Sequence, residues 1–73
     1  MANLNRQFLL FFGKKVRLER QKRKYSQERL GELAQVHRTY IGMIERGEKN
    51  ITLINMKKIA QALGLNVRDL IDF

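Results

Sequence analysis

The sequence predicts an all-α chain, five helices folded as one domain over residues 1–73, and three observations carry that prediction. Apolar residues recur at three- and four-residue spacing through successive stretches, the spacing that places them on one helix face. The stretches are punctuated by residues that start helices (Ser26, Thr52, Asn66) and by glycines that stop them (Gly47, Gly64). No run alternates apolar with polar residues as a half-buried strand would, and there is no proline. Seventy-three residues are near the size at which one core becomes marginal. With no cysteine and a single histidine, His37, neither disulfides nor a metal centre can brace it, and no cofactor is expected. Absence of cysteine fits a reducing compartment, and a cytoplasmic location is expected.

Residues 1–5 (MANLN) carry no signal and are expected to fray. A first helix is predicted from about Arg6 to Arg23, with Phe8, Phe12 and Val16 on one face and Phe11 beside them. Lys14, Lys15, Arg17, Lys22, Arg23 and Lys24 take the remaining circumference as a solvated charged face. The apolar run Phe8–Phe12 is more than one helix face needs, so it is expected to pack under the C-terminal segment of the same subunit, the alternative being a contribution to a dimer. It falls far short of the ~20 residues that span a bilayer, and no small-residue cleavage site follows it.

Ser26 can cap a second helix, although Arg29 stands where a reciprocal capping box would want Glu or Gln. Leu30, Leu33 and Ala34 make its buried stripe. Gly31 inside it costs ~1 kcal/mol relative to alanine, which implies close approach of another backbone. After a break at Gln35–His37, a third helix runs from about Arg38 to Arg46, with Ile41 and Ile44 inward and Val36 packed in the turn. Gly47 supplies its left-handed stop. Glu48 to Ile51 form a loop, and Thr52 caps a fourth helix, Leu53 to Leu63, with stripe Leu53, Met56, Ile59, Ala60 and Leu63. Gly64 closes that helix, and Asn66 caps a short fifth, Val67 to Phe73.

Function is bounded first by charge. Fifteen Lys and Arg against seven Asp and Glu leave +8, which favours polyanionic partners. Catalysis is disfavoured: the acidic residues are scattered among cations, His37 has no evident Ser or Asp partner, and no glycine-rich phosphate loop follows a strand. The stretch Ser26 to Gly47 instead suits duplex reading. A helix in the major groove must offer its first turn and one face to the bases while the opposite face docks on its own domain. Opposite Ile41 and Ile44, the third helix offers Arg38, Thr39, Gly42, Met43 and Arg46. Arg38 can grip guanine O6 and N7, Thr39 offers a hydroxyl and a methyl, and Tyr40 can bond a phosphate or a base. Ser26 and Gln27 stand at a helix N-terminus, where free N–H groups favour a phosphate. Arg20 and Glu45, late in the first and third helices, are placed to meet behind this motif as an ion pair. The rival readings are a protein-interaction module, such as the antitoxin half of a toxin pair, and binding to an anionic membrane surface through Phe8–Phe12.

Residues 12–65, FGKKVRLERQKRKYSQERLGELAQVHRTYIGMIERGEKNITLINMKKIAQALGL, resemble the phage-repressor-like, xenobiotic-response-element family of helix-turn-helix regulators. SQE at the second helix, IERG ending the third and KKIAQALGL in the fourth carry the likeness, and HRTYIGMIERGEKNITLINMKKIA is most similar to restriction–modification controller proteins. The resemblance implies a compact five-helix bundle of the lambda-repressor-like type, with the motif at about residues 26–46. It implies a transcription regulator that binds double-stranded DNA as a homodimer on a palindromic operator. By the same resemblance the base-reading positions fall on Arg38, Thr39, Tyr40 and Met43. Phosphate contacts fall on Gln27, Arg46, Asn50 and Thr52, and the buried pair on Arg20 and Glu45. The family has glycine where Lys24 and Gln35 stand and alanine where Gly31 stands, so Gln35 is expected at positive φ. A twofold would read half-sites about 34 Å apart. Its self-contact is expected in the apolar end, Leu65, Val67, Leu70, Ile71 and Phe73, with Leu65 and Val67 on the axis. No membrane partner or small-molecule ligand is expected.

Overall fold

A computed structural model describes the backbone of residues 2–72 and the side chains of residues 5–72. Five helices follow one another: α1 (Ala2–Lys22), α2 (Gln27–Ala34), α3 (Arg38–Glu45), α4 (Leu53–Ala62) and α5 (Val67–Ile71). Among the described residues there is no strand. The first helix starts at Ala2 rather than Arg6, since no proline or glycine in Ala2–Asn5 opposes helix formation. Met1 and Phe73 lie outside the described residues.

Local chemistry sets the ends. Ser26 Oγ accepts from the Arg29 amide at 2.9 Å, Thr52 Oγ1 accepts from the Asn55 amide at 3.1 Å, and the Asn66 amide donates to Asp69 Oδ2 at 2.9 Å. Helices α1 to α4 all stop in the same way. The amide of Tyr25 donates to the Arg20 carbonyl (3.2 Å), Val36 to Gly31 (2.9 Å), Glu48 to Met43 (2.9 Å) and Leu65 to Ala60 (2.8 Å). This six-to-one bond requires a left-handed residue just before the donor. Those residues are Lys24 (φ 58°), Gln35 (φ 60°), Gly47 (φ 71°) and Gly64 (φ 72°), so two of the stops use glycine and two do not.

The helices pack α2 on α3 and α4, α1 on α3 and α5, and α4 on α5. Phe12, Val16, Leu30, Ala34, Ile41, Ile44, Ile59, Ala60, Leu63 and Leu70 close the core between them. Each large side chain in it contributes roughly 1.5–3 kcal/mol by leaving water. Two glycines permit the closest approaches. A Cβ on Gly13 would overlap the Ile44 carbonyl oxygen and lie 2.9 Å from that of Glu45, so α1 rides directly on the end of α3. A Cβ on Gly31 would lie 2.7 Å from the Val36 carbonyl oxygen, so the tight turn into α3 folds back on α2.

Several expected core residues stand outside. Leu33 is 37% exposed and Leu53 70%, because Leu30 with Ala34 and Met56 with Ile59 and Leu63 already fill the inward faces of α2 and α4. Phe8 and Phe11 are half exposed: Phe12 and Val16 set the buried line of α1, and Phe11 is turned about 100° from Phe12. Phe8, Leu9 and Phe12 line a hollow of about 490 Å³ shared with Ile51 and Met56, beside the α3–α4 loop.

Part of the charged face of α1 is not simply solvated. Glu19 is 6% exposed and bonded by Arg23 (2.9 Å), Lys22 (3.1 Å) and Lys15 (3.3 Å). The hydrogen bonds from Arg23 and Lys22 hold its carboxyl down to about 2, against burial, which pushes it up.

Candidate nucleic-acid interface

The second and third helices and the turn between them form one unit fixed from behind. Arg20 reaches from α1 to the end of α3, donating from Nε to Glu45 Oε2 at 2.7 Å and from Nη2 to Oε1 at 3.0 Å. Its Nη1 donates to the Tyr25 carbonyl at 2.9 Å, so one guanidinium ties α3 to the α1–α2 turn. The side chains of Arg20 and Glu45 are 12% and 4% exposed, a largely buried forked pair in which all three guanidinium nitrogens donate. Gln27, first residue of α2, donates from Nε2 to Glu45 Oε1 at 3.1 Å. Its amide therefore lies against α3, with one Nε2 hydrogen left for another acceptor.

Ile41 and Ile44 face the core, at 0% and 2% exposure, which turns the other side of α3 outward. Arg38 and Thr39 are exposed at its first turn, Met43 is half-buried one turn on, and Arg46 is exposed just past its end. Gly42 is not on the exposed arc. It is buried beneath the side chains of Arg46 and Gln27, whose Nη1 and Oε1 would lie 3.1 and 3.4 Å from a Cβ there. Tyr40 is half-buried, and its hydroxyl accepts from Asn55 Nδ2 at 3.0 Å, which leaves its proton directed elsewhere.

Both outward arginines are held by carboxylates: Arg38 by Glu28 of α2 at 3.1 Å, Arg46 by Glu48 at 3.1 Å. All four side chains are about half exposed or more, so these pairs contribute ~0–1 kcal/mol each. Ser26, Asn50 and Thr52 are exposed on flanking turns. Leu65 and Val67 sit apart from α3, half-buried, packing on the core and lining a shallow hollow with Lys57, Gln61 and Asn66. Leu70 is fully buried and Ile71 39% exposed. Among the described residues no cluster of three or more His, Asp or Glu could hold a metal ion, and no helix is long and apolar enough to cross a membrane.

Sequence reasoning overlooked His37, Glu28 and Asn55. His37 is the N-cap of α3, its Nδ1 accepting from the Thr39 amide at 3.0 Å. Its place just before the helix was the available signal, but histidine is not among the usual capping residues. Glu28 and Asn55 are ten and fifteen residues from their partners, and no local pattern marks them.

The helix-turn-helix family model matches residues 16–70. The control protein C.BamHI of Bacillus amyloliquefaciens is 51% identical over 65 residues, 88% of this chain and 80% of that protein. The control protein C.SmaI of Serratia marcescens is 48% identical over 46 residues, 63% of this chain and 55% of its own. Among solved structures, the restriction–modification controller protein C.AhdI from Aeromonas hydrophila superposes with a TM-score of 0.84 at 40% identity. That match covers 85% of this chain and 94% of the other.

Proposed function

The chain belongs to the helix-turn-helix family, and on that premise we propose that it is a transcription regulator of the restriction–modification controller kind, binding duplex DNA sequence-specifically as a homodimer on a palindromic operator. The observation that carries the reading is the division of α3: two isoleucines locked in the core, and Arg38 and Thr39 exposed at the first turn.

With α3 in the major groove, Arg38 grips a guanine edge and Thr39 and Met43 meet neighbouring bases. Tyr40, steadied by Asn55, donates its hydroxyl proton to a base or phosphate. Releasing Arg38 from Glu28 costs ~0–1 kcal/mol, less than the ~1–3 kcal/mol of discrimination a forked guanine contact supplies, so the exchange favours the base. Ser26 and Thr52 use their hydroxyl oxygens as caps, which leaves the O–H of each to donate to phosphate. Gln27, Asn50 and Arg46 continue that track, Arg46 leaving Glu48 as Arg38 leaves Glu28. Leu65 and Val67 meet their twofold mates and set the half-site spacing.

Enrichment of binders from a random duplex pool, followed by footprinting of the DNA upstream of the chain's own gene, tests this. The expected outcome is one symmetric protected site. Arg38→Ala should then lose ~1–3 kcal/mol of discrimination at one base pair per half-site with thermal unfolding unchanged. Equal loss on operator and random DNA would remove Arg38 from the reading role.

A further inference from the structure

The recognition turn is closed by a residue whose hydrogen-bonding capacity depends on a proton. His37 is extended (φ −69°, ψ 144°) and its carbonyl accepts the amides of Tyr40 and Ile41 at 3.0 and 3.3 Å, which starts the helix. The Thr39 amide, left over at that end, donates to His37 Nδ1 at 3.0 Å. Helix α3 is eight residues long and has no acidic residue in its first turn, so no carboxylate of its own offsets the free N–H groups there. A helix that short depends on its ends and its packing.

We infer that His37 is a positioning residue for DNA reading: neutral imidazole fixes the first turn of α3, and protonation releases it, lowering sequence discrimination. This rests on the DNA-reading function proposed above. Only the tautomer protonated at Nε2 can accept at Nδ1, and the imidazolium has no acceptor at all. Protonation therefore breaks the bond to Thr39 and sets a positive charge against the positive end of α3.

Other charged groups face His37. Glu28 and Glu32 of α2 and Arg38 of α3 line the same hollow, about 380 Å³, together with Val36. An imidazolium there has both carboxylates to turn toward, and Glu28 is the carboxylate that steadies Arg38 at 3.1 Å. One proton thus unfastens the Thr39 amide, while a Glu28 drawn to the imidazolium only frees Arg38, so the loss of discrimination is carried by the Thr39 bond. The added charge also strengthens attraction to any duplex. Acidification should therefore raise affinity for random DNA while eroding the preference for the operator, a combination that loss of folding does not produce.

The test compares wild type with His37→Asn, whose side-chain oxygen accepts at every pH, and His37→Ala, which never accepts. Affinity is read by fluorescence anisotropy from pH 8 to pH 5.5, on a duplex enriched from a random pool at pH 8 and on its scrambled counterpart. For wild type the ratio of the two affinities should fall by up to about fivefold across that range, the limit reached if all the stability of a lost cap is taken from operator binding. For His37→Asn the ratio should stay level and high, and for His37→Ala level and low. A level wild-type ratio, or an equal fall in His37→Asn, overturns the inference. If no duplex is enriched, the DNA-reading function itself fails. In the protein without DNA, the Thr39 amide resonance should titrate with the His37 ring in wild type and not in His37→Asn. An amide that ignores the ring overturns the inference independently of any duplex.

Discussion

The guanidinium of Arg20 serves three acceptors at once, two on Glu45 and one on the Tyr25 carbonyl, and it does so almost out of reach of water. Removing it strands a buried carboxylate, so Arg20→Ala should cost ~3–5 kcal/mol and leave the domain unfolded or nearly so by urea titration. Arg20→Lys should rescue little, since an ammonium cannot span the fork and the carbonyl together. Glu19 gives a separate signature. Its folded carboxyl lies at about 2 and its ordinary value is 4.5, so its stabilising contribution is fully present above about pH 4.5 and is lost as pH falls toward 2. The contribution is no more than about 3 kcal/mol, discounted for the solvent that reaches Lys22. Glu19→Gln should be less stable at pH 7 and should lose less stability than wild type between pH 5 and pH 2, measured as unfolding midpoints. At this scale the sequence was half legible. The faces of two helices and the family likeness placed Arg20 toward Glu45. Glu19 went unread because Lys15, Lys22 and Arg23 stand at the same spacing around it whether the carboxylate is bare or buried.

Helix termini were the more readable level, and where they misled, tertiary contact was the reason. Ser26, Thr52, Gly47 and Gly64 mark ends by local chemistry that needs no neighbour, and the ends fall there. The stripes were less reliable. Periodicity gives a face but not its width, so Leu33, Leu53 and the outer phenylalanines of α1 were assigned to a core already full without them. The approach of α1 to the end of α3 at Gly13 left no trace in periodicity at all. The stops of α1 and α2 are where the elements can be improved. Lys24 and Gln35 hold the left-handed position that Gly47 and Gly64 hold without steric cost. Lys24→Gly and Gln35→Gly should each stabilise the fold by about 1 kcal/mol, the relief of side-chain strain exceeding the added freedom of the unfolded chain. The two sites are at the ends of different helices, so the double variant should gain the sum in chemical denaturation. A loss of stability in either would mean that its side chain contributes more than its backbone strain removes.

For the whole molecule, the homodimer proposed above requires a chain carrying +8 to meet its own copy. Like charges repel across an axis, so a twofold contact must be built where cations are sparse. The α4–α5 corner from Ile59 to Val67 is uncharged along its length, and its half-buried Leu65 and Val67 bring apolar surface to the outside. The ten core residues among those described leave such a domain little reserve, and the proposed association should add stability by mass action, so that the thermal midpoint rises with protein concentration. Val67→Arg separates folding from association. At the first position of α5 an arginine costs ~0.3–1 kcal/mol through the dipole and gives up part of the packing of a half-buried valine, whereas across a twofold it sets two cations against each other in surface that must lose water. The variant should therefore be folded by circular dichroism and monomeric in sedimentation equilibrium. Its midpoint should no longer depend on concentration, and it should bind the operator through isolated half-sites of much lower affinity. If it remains dimeric, the axis does not pass through Val67. The uncharged run from Asn50 to Met56 then becomes the place to look, since Leu53 and Ile54 are 70% and 65% exposed there beside the turn that carries Thr52.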